Sequence, residues 1–176
     1  VTVHGADAYT LTGGLARRLK RLVLGRSAAV LPVSEDIART LELPPDTPVL
    51  RMGVDTAELR HEVGDRQPEP GLLVSIGRLA DKKGVDVLLR AMVEVPAVRL
   101  EVIGDGPEQQ PLETLADELG IAERVHFLGR QPRRGVLDAL ARAEAVVIPS
   151  KVGAGGDKDG TPVVLCEAMA AGVPVV

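Results

Sequence analysis

The chain has 176 residues, of which 45% are hydrophobic and 26% charged, and its formal net charge is −4. This length is enough for one substantial hydrophobic core or two partial ones. The charge gives no basic field that would attract nucleic acid, and the near absence of aromatic residues argues against a surface on which bases stack. The lone cysteine, Cys166, allows no disulfide within the chain, which favours a reduced, cytoplasmic setting. No apolar run approaches the length of a membrane-spanning helix, and no signal peptide is visible.

Both ends of the chain have the sequence of interior strands. The chain begins Val1-Thr2-Val3, without methionine, and ends Val175-Val176. Apolar strands of this kind are usually buried in a sheet, so we expect the sequence to be a fragment of a longer protein.

The region before residue 55 starts with a short strand at 1–3 that leads into His4. Leucine and valine then recur at helical spacing between residues 15 and 23, with arginine and lysine between them. A basic amphipathic helix over residues 14–27 can lie on an anionic membrane. An ordinary half-buried helix with a solvated basic face explains the same pattern, and it is the interpretation that we favour.

The next segments predict a second short run of structure before a boundary. Residues 28–33 are predicted to form a strand, and Ser34 to cap a helix over 35–41. Residues 49–52 have the composition of another strand. Residues 56–70 are rich in charge and contain two prolines, so we predict a linker between two domains.

From residue 71 onward, strands and helices alternate. Strands are predicted at 72–76, 98–103, 125–128 and 145–148, and helices at 85–93, 108–119 and 133–143. Apolar strands that alternate with helices form a parallel sheet covered on both faces, so we predict an α/β fold with a doubly wound, Rossmann-like sheet. Ligands bind such sheets outside the carboxyl ends of the strands, where the loops 77–84, 104–107, 129–130 and 150–160 should lie.

The last part of the chain changes from a glycine-rich loop into a helix. Pro162 suits the first helical position because its missing N–H would have no partner there. Gly160 and Thr161 let backbone N–H groups approach a ligand at the helix start. Gly172 is expected to end the helix, and residues 173–176 to begin the next strand.

Glu167 is the unusual residue of this helix because it lies within an apolar run. A buried, unpaired carboxylate is costly, so Glu167 should have a partner. Asp159 precedes it by eight positions, on the loop. Amides at the helix start favour phosphate, and a carboxylate can accept hydrogen bonds from two sugar hydroxyls, so this stretch suits a polar anionic ligand. The alternative is a capped core helix whose glutamate is paired with an arginine.

Asp159-Gly-Thr-Pro, followed after four residues by Glu167-Ala-Met-Ala-Ala-Gly-Val-Pro-Val-Val, resembles the signature of the family-4 retaining glycosyltransferases, which have the GT-B architecture. The first acid of that signature is usually glutamate, so Asp159 has an arm one methylene shorter. The resemblance covers almost the whole chain, although members of the family are considerably longer. It implies that residues 1–55 are the end of the N-terminal, acceptor-side lobe, and that 71–176 are an incomplete C-terminal lobe that binds the nucleotide sugar.

Gly77-Arg78, followed after four residues by Lys83-Gly84, resembles the diphosphate-binding loop of the same family. An arginine and a lysine in a loop are, by themselves, typical of a solvated surface turn. On the same sheet edge as Asp159 and Glu167, they favour a diphosphate site. Two cations there would stabilise the negative charge that develops on the nucleotide diphosphate as the sugar leaves.

Three further motifs carry weaker signals. His4-Gly5-Ala6-Asp7 resembles the family's motif at the mouth of the interdomain cleft, where the histidine faces the transferred sugar, although a lone histidine near a turn is often structural. Gly129-Arg130 resembles the loop that contacts the base, without identifying the base. A tight turn explains Gly104-Asp105-Gly106-Pro107 equally well.

Asp157 and Asp159 also fit a different interpretation. Asp-x-Asp is the signature with which glycosyltransferases of the GT-A architecture hold Mn²⁺ or Mg²⁺ on the diphosphate. The helix that follows, together with Arg78 and Lys83, favours a site that uses no metal and no other cofactor.

The sequence therefore predicts a glycosyltransferase that moves a sugar from a nucleotide-diphosphate donor to a hydroxyl acceptor, with the retention that the resemblance implies. Glu167 is expected to bind the ribose hydroxyls. Asp159, with the amides of Gly160 and Thr161, is expected to face the sugar, and His4 to close the site from the other lobe. The site is thus assigned to His4, Asp159, Arg78, Lys83, Glu167, Gly160, Thr161, Gly77, Gly129 and Arg130.

The expected acceptor is a glycan, a lipid-linked sugar or a small molecule, as in polysaccharide biosynthesis. Two other classes of function fit the same residues. A nucleotide-sugar epimerase of similar fold would convert the donor without an acceptor. A non-catalytic fragment would bind the donor without turning it over.

Overall fold

The computed structural model describes residues 1–9 and 13–176. Its strands are β1 (Thr2–Val3), β2 (Leu31–Pro32), β3 (Leu72–Ile76), β4 (Arg99–Ile103), β5 (Val125–Gly129) and β6 (Ala145–Val146). Its helices are α1 (Gly5–Tyr9), α2 (Gly14–Arg26), α3 (Glu35–Thr40), α4 (Thr56–Val63), α5 (Val85–Met92), α6 (Gln109–Glu118), α7 (Arg133–Arg142) and α8 (Val163–Ala170). Residues 1–53 and 152–162 form one compact unit, and residues 54–151 and 163–176 form a second.

The first unit is built on a two-stranded parallel sheet, β1 with β2. The hydroxyl of Ser34 accepts a hydrogen bond from the Ile37 amide at 3.2 Å, so the predicted cap of α3 is confirmed. Ile37 is fully buried. A cluster of buried hydrophobic side chains in this unit consists of Val3, Ala8, Tyr9, Val33 and Ile37, and Pro32 is fully buried as well.

Two predictions for the first unit are wrong. The helix α2 is not half-buried: in the described residues it has no buried side chain, and Leu15 is 74% exposed. A two-stranded sheet offers too little surface to cover such a helix. Residues 49–52 do not form a strand, because a single ladder bond, from the Leu50 amide to Pro32 O at 2.9 Å, joins them to β2.

The predicted linker also contains a helix, which corrects that prediction for residues 56–63. The Asp55 carboxylate caps α4 by accepting hydrogen bonds from the Ala57 and Glu58 amides at 3.0 and 2.9 Å. Leu59 is only 2% exposed and packs in the core of the second unit. A single buried leucine in a charged segment is a weak periodic signal, which explains why the helix was not predicted.

The second unit is a parallel sheet in the order β5-β4-β3-β6, and Val175 forms a parallel bridge to Val146 beyond β6. Leu72 and Val74 pack with α4, α7 and α8, whereas Leu73 packs with α5 and α6. Both faces of the sheet are therefore covered, and the predicted α/β, doubly wound parallel fold is confirmed. The helices α5, α6 and α7 begin and end within one residue of the predicted bounds, but β6 is two residues shorter.

Candidate functional site

We call the loop after β3, residues 77–84, the clamp loop. It contains both residues that are predicted to bind the diphosphate. Arg78 is exposed and, within the described residues, has no ion-pair partner, while Lys83 is half-buried. A Cβ built on Gly77 would lie 3.7 Å from Lys83 Cε and 3.9 Å from its Nζ, so the lysine side chain covers the carboxyl end of β3. Both cations line a narrow cleft, about 10 Å³ in volume, that continues along 147–150 to Val164 of α8.

Lys151 fixes the clamp loop in place, although nothing in the sequence singled it out. Its Nζ lies 2.8 Å from both carboxylate oxygens of Asp86 and 2.9 Å from Asp81 Oδ1. These carboxylates, Asp86 first, raise the pKa of Lys151. The Lys151 amide also donates to Lys82 O at 2.9 Å. Because Asp86 and Lys151 are 65 positions apart, only the fold could reveal the pair.

The turn Gly104-Asp105-Gly106-Pro107 supports the clamp loop through its backbone. A Cβ at Gly104 would lie 1.9 Å from Gly77 O, and one at Gly106 would lie 2.1 Å from Leu79 O. The Leu79 amide donates to Asp105 O at 2.8 Å. The glycines of this turn are thus explained by close packing on the loop that carries Arg78.

Gly129 and Arg130 lie at the end of the neighbouring strand β5. Gly129 has a φ of 62°, and its carbonyl accepts a hydrogen bond from the Gly104 amide at 2.8 Å. Arg130 is exposed. The structure therefore brings the clamp loop, the 104–107 turn and Gly129-Arg130 together at the carboxyl edge of one sheet, as the topology predicted.

Glu167 lies on α8, which ends before Gly172 (φ 71°) as predicted. It is half-exposed and lines a pocket of about 250 Å³ with Gln131, Arg133 and apolar side chains of α4 and α7. Ile76 at the end of β3 lines this pocket and also the cleft that contains Arg78. The carboxylate of Glu167 and the two cations therefore occupy adjoining depressions of the second unit.

The alternative in which an arginine pairs with Glu167 is not what the structure has. Arg133, which lines the same pocket, donates from Nε to Glu62 Oε2 at 3.1 Å. That hydrogen bond is the main cause of the raised pKa of Arg133, and Glu167 is the last of the contributing charges. Among the described residues, no side chain donates a hydrogen bond to the Glu167 carboxylate. Glu167 is half-exposed, whereas burial was expected. The carboxylate can therefore be solvated, and the absence of a protein donor destabilises the fold little.

Asp159, Gly160, Thr161 and His4 belong to the first unit. We call residues 152–162 the glycine loop. A Cβ at Gly5 would lie 3.3 Å from Lys158 O, and one at Gly160 would lie 3.9 Å from Ile37 Cδ1. The glycine loop therefore packs on α1 and α3, beside the exposed His4, whose amide donates to Asp7 Oδ2 at 2.9 Å.

Residues 1–9 and 13–176 offer neither a cluster of metal ligands nor a membrane-spanning helix. No group of three or more histidine, cysteine, aspartate or glutamate residues lies close enough to hold a metal ion, and Asp157 and Asp159 accordingly have no third such neighbour there. None of the described helices has the length and apolar character needed to span a membrane.

Comparison with protein families matches residues 57–176 to the family described as glycosyl transferases group 1. A putative colanic acid biosynthesis glycosyltransferase, WcaL of Salmonella typhimurium, is 33% identical over 86% of this chain and 39% of its own length. A GDP-mannose-dependent α-(1-6)-phosphatidylinositol monomannoside mannosyltransferase of Mycolicibacterium smegmatis is 34% identical over 98% of this chain and 44% of its own. The chain thus spans less than half the length of these relatives.

Solved structures give the same fold. Anabaena HepE, determined in complex with UDP and glucose, superposes with a TM-score of 0.75 over 99% of this chain and 51% of HepE, at 21% identity. AviGT4, a glycosyltransferase involved in avilamycin A biosynthesis, superposes with a TM-score of 0.67 over 83% of this chain and 42% of its own, at 25% identity.

Proposed function

Because the chain belongs to the family of group 1 glycosyl transferases, we propose that it carries the donor-binding part of an enzyme that transfers a sugar from a nucleotide diphosphate to a hydroxyl group. The observation that carries the proposal is the clamp loop: Arg78 and Lys83 line one cleft at the carboxyl edge of a parallel sheet. Glu167 lines the adjoining pocket. A cationic cleft beside a carboxylate suits a diphosphate attached to a ribose.

In the proposed reaction, the bond between the anomeric carbon and the diphosphate breaks and leaves negative charge on the diphosphate. Arg78 and Lys83 stabilise that developing charge. A cation about 4 Å from a phosphate oxygen interacts by roughly 4 kcal/mol at an effective dielectric constant of 20. A helix N-terminus contributes only about 0.3–1 kcal/mol. The two cations therefore dominate, and they supply the role that a metal ion plays elsewhere, so the proposed reaction uses no metal or other cofactor.

Glu167 is proposed to accept hydrogen bonds from the ribose hydroxyls. Its carboxylate is half-exposed in a pocket and is not occupied by Arg133. Gln131 of the same pocket directly follows Gly129-Arg130, the segment assigned to the base. The proposal thus places the nucleoside in the 250 Å³ pocket and the diphosphate at the mouth of the cleft, against Arg78 and Lys83.

On the sugar side, we assign Asp159 and the amides of Gly160 and Thr161 to the transferred sugar, and His4 to closing the site. These assignments rest on the similarity of their motifs to those of the family-4 enzymes, as does retention at the anomeric carbon. The lobe assignment of residues 1–55 and 71–176 likewise remains a prediction.

The acceptor is proposed to be a glycan or a lipid-linked sugar. The names of the relatives refer to colanic acid biosynthesis and to a phosphatidylinositol mannoside. The exposed apolar positions of α2, between basic residues, suit contact with an anionic membrane surface at the cytoplasmic side. This peripheral contact and the location stay predictions.

Calorimetric titration of ADP, GDP, UDP and CDP into the chain tests the proposal. We expect at least one of them to bind, and we expect its affinity to be unchanged when EDTA removes divalent ions. Binding that needs Mg²⁺ or Mn²⁺ would favour the Asp157/Asp159 interpretation instead. A folded chain that binds none of the four would contradict the donor-site assignment. Conversion of the nucleotide sugar without any acceptor would favour the epimerase.

Replacing Glu167 with glutamine should weaken the binding of that nucleoside diphosphate by roughly 10- to 100-fold, since hydrogen bonds to a charged group contribute about 1.5–3 kcal/mol. The affinity for its 2′,3′-dideoxy analogue should stay unchanged, because the analogue lacks the hydroxyls. Glu118→Gln, an exposed glutamate on α6, is the matched control. Equal loss for the ribose and dideoxy ligands would contradict the ribose assignment.

A further inference from the structure

The glycine loop is held to α1 and α3 by a cluster of three side chains, Tyr9, Asp36 and Lys158, which we call the Lys158 cluster. The Tyr9 hydroxyl donates to Asp36 Oδ2 at 2.6 Å. The Lys158 ammonium lies 2.6 Å from the same oxygen and 5.1 Å from the centre of the Tyr9 ring. One carboxylate oxygen therefore receives two short, charge-assisted contacts, and the ammonium also contacts an aromatic face.

The cluster is more than a surface ion pair. Tyr9 is 7% exposed and belongs to the buried core of the first unit, so its hydroxyl fixes Asp36 from the core side. Burial, then the hydrogen bond to Asp36, raises the pKa of Tyr9 to about 12. The hydrogen bonds from Lys158 and Tyr9 lower the pKa of Asp36 to about 2. A carboxyl group whose pKa is depressed contributes its stabilisation above its ordinary pKa and loses it only as the pH falls towards 2. Near neutral pH Asp36 is therefore ionised, while Tyr9 keeps the proton that it donates to Asp36.

The backbone on both sides of Lys158 is packed as well. A Cβ at Gly5 would lie 3.3 Å from the Lys158 carbonyl oxygen, and the Gly153 amide donates to Asp157 O at 2.8 Å within the loop. A Cβ at Gly160 would lie 3.9 Å from Cδ1 of Ile37, which is fully buried. The side chain of Lys158 thus joins the glycine loop to α3 through its ion pair with Asp36.

From this geometry we infer that Lys158 is a positioning residue. Its ion pair with Asp36, which Tyr9 also holds, fixes the position of Asp159 and of the Gly160 and Thr161 amides. Through that position it determines the affinity for the sugar part of the donor. The effect on donor affinity rests on the proposed function, whereas the contact between Lys158 and Asp36 does not. Lys158 needs no direct contact with the ligand, because it acts through the loop on which it lies.

Hydrogen exchange of the chain without ligand tests the contact. Lys158→Met and Asp36→Asn should each accelerate amide exchange over residues 153–161 roughly tenfold, because a local opening is governed by the few contacts that close it. The double variant should add little to either single change. Lys158→Arg should restore slow exchange. Arg39→Met is the matched control, since Arg39 lies 3.5 Å from Asp36 but is 73% exposed and, among the described residues, has no hydrogen bond or ion pair with the loop. Unchanged loop exchange in the folded Lys158→Met variant would overturn the inference.

The consequence for the donor is tested by comparing two ligands. The nucleoside diphosphate that binds should bind Lys158→Met as tightly as the parent chain, whereas the corresponding nucleotide sugar should lose the extra affinity that its sugar contributes. Lys158→Arg should recover that extra affinity. If Lys158→Met exchanged faster but the sugar still contributed its full affinity, Lys158 would stabilise the loop without affecting the donor, and its positioning role would be overturned. If the parent chain binds no nucleotide, the proposed function fails, and hydrogen exchange alone decides whether Lys158 fixes the loop.

Discussion

Replacing Arg78 and Lys83 together with alanine should weaken the binding of the nucleoside diphosphate roughly a thousandfold. Each hydrogen bond from a cation to a charged group contributes about 1.5–3 kcal/mol, so the loss of two should cost about 3–6 kcal/mol. The fold should survive, because Arg78 is exposed and the clamp loop is held by backbone hydrogen bonds and by Lys151. Calorimetry of the variant, with a denaturation curve beside it, checks both statements.

The control for this prediction must change the net charge equally. Arg90→Ala with Arg134→Ala does so, because both arginines are exposed, on α5 and α7, and neither lines the cleft. We expect this pair to change the affinity less than threefold, through screened long-range charge alone. If both double variants lost affinity equally, general electrostatic attraction would explain the binding, and the clamp loop would have no special role.

Gly104→Ala should lower the free energy of unfolding by about 4 kcal/mol or more, in the range reserved for the most damaging substitutions. Gly104 has a φ of 136°, which side-chain-bearing residues rarely adopt, and its Cβ would lie 1.9 Å from the carbonyl oxygen of Gly77. That oxygen belongs to the first residue of the clamp loop, whose amide donates to Ile103 O at 2.9 Å, so it cannot move without disturbing the edge of the sheet. Since domains have total stabilities of about 5–15 kcal/mol, urea denaturation followed by circular dichroism should show a much earlier transition.

Gly120→Ala separates the two causes of this effect. Gly120 also has a positive φ, 66°, but nothing lies within 4 Å of its Cβ position. We expect a cost of about 1–2 kcal/mol, which is the cost of the left-handed conformation alone. If Gly104→Ala cost no more than Gly120→Ala, the close approach to Gly77 would not limit the fold.

The sheet and its helices could be predicted from the sequence because each signal is local. Apolar runs separated by glycine predicted the strands β3 to β5. Pro162 and Gly172 predicted the two ends of α8 to within one residue. The loops 77–84, 104–107 and 129–130 at the carboxyl edge followed from topology, whereas residues 152–160 of the fourth predicted loop belong to the first unit. The assignment of Arg78 and Lys83 to a diphosphate came from their resemblance to a family motif, not from a calculation of their position, and it stays a prediction.

The remainder depended on contacts between distant residues. The spacing of Asp86 and Lys151 does not predict an ion pair. Asp36, the partner of Lys158, lies 122 positions away in the sequence. The turn at 104–107 appeared to be a generic tight turn because the sequence does not show which backbone it will meet. The helix α4 was missed because a single leucine, Leu59, carries its buried face.

The glycine loop has a further consequence for how such proteins can be recombined. The chain leaves the second unit after Lys151, contributes residues 152–162 to the first, and returns at Val163. A chimera that exchanged only residues 1–53 between two relatives would join a foreign α3 to a native loop and could separate Lys158 from its Asp36. The first unit is therefore discontinuous in sequence, and an exchange of this unit between relatives should transplant residues 1–53 and 152–162 as a pair.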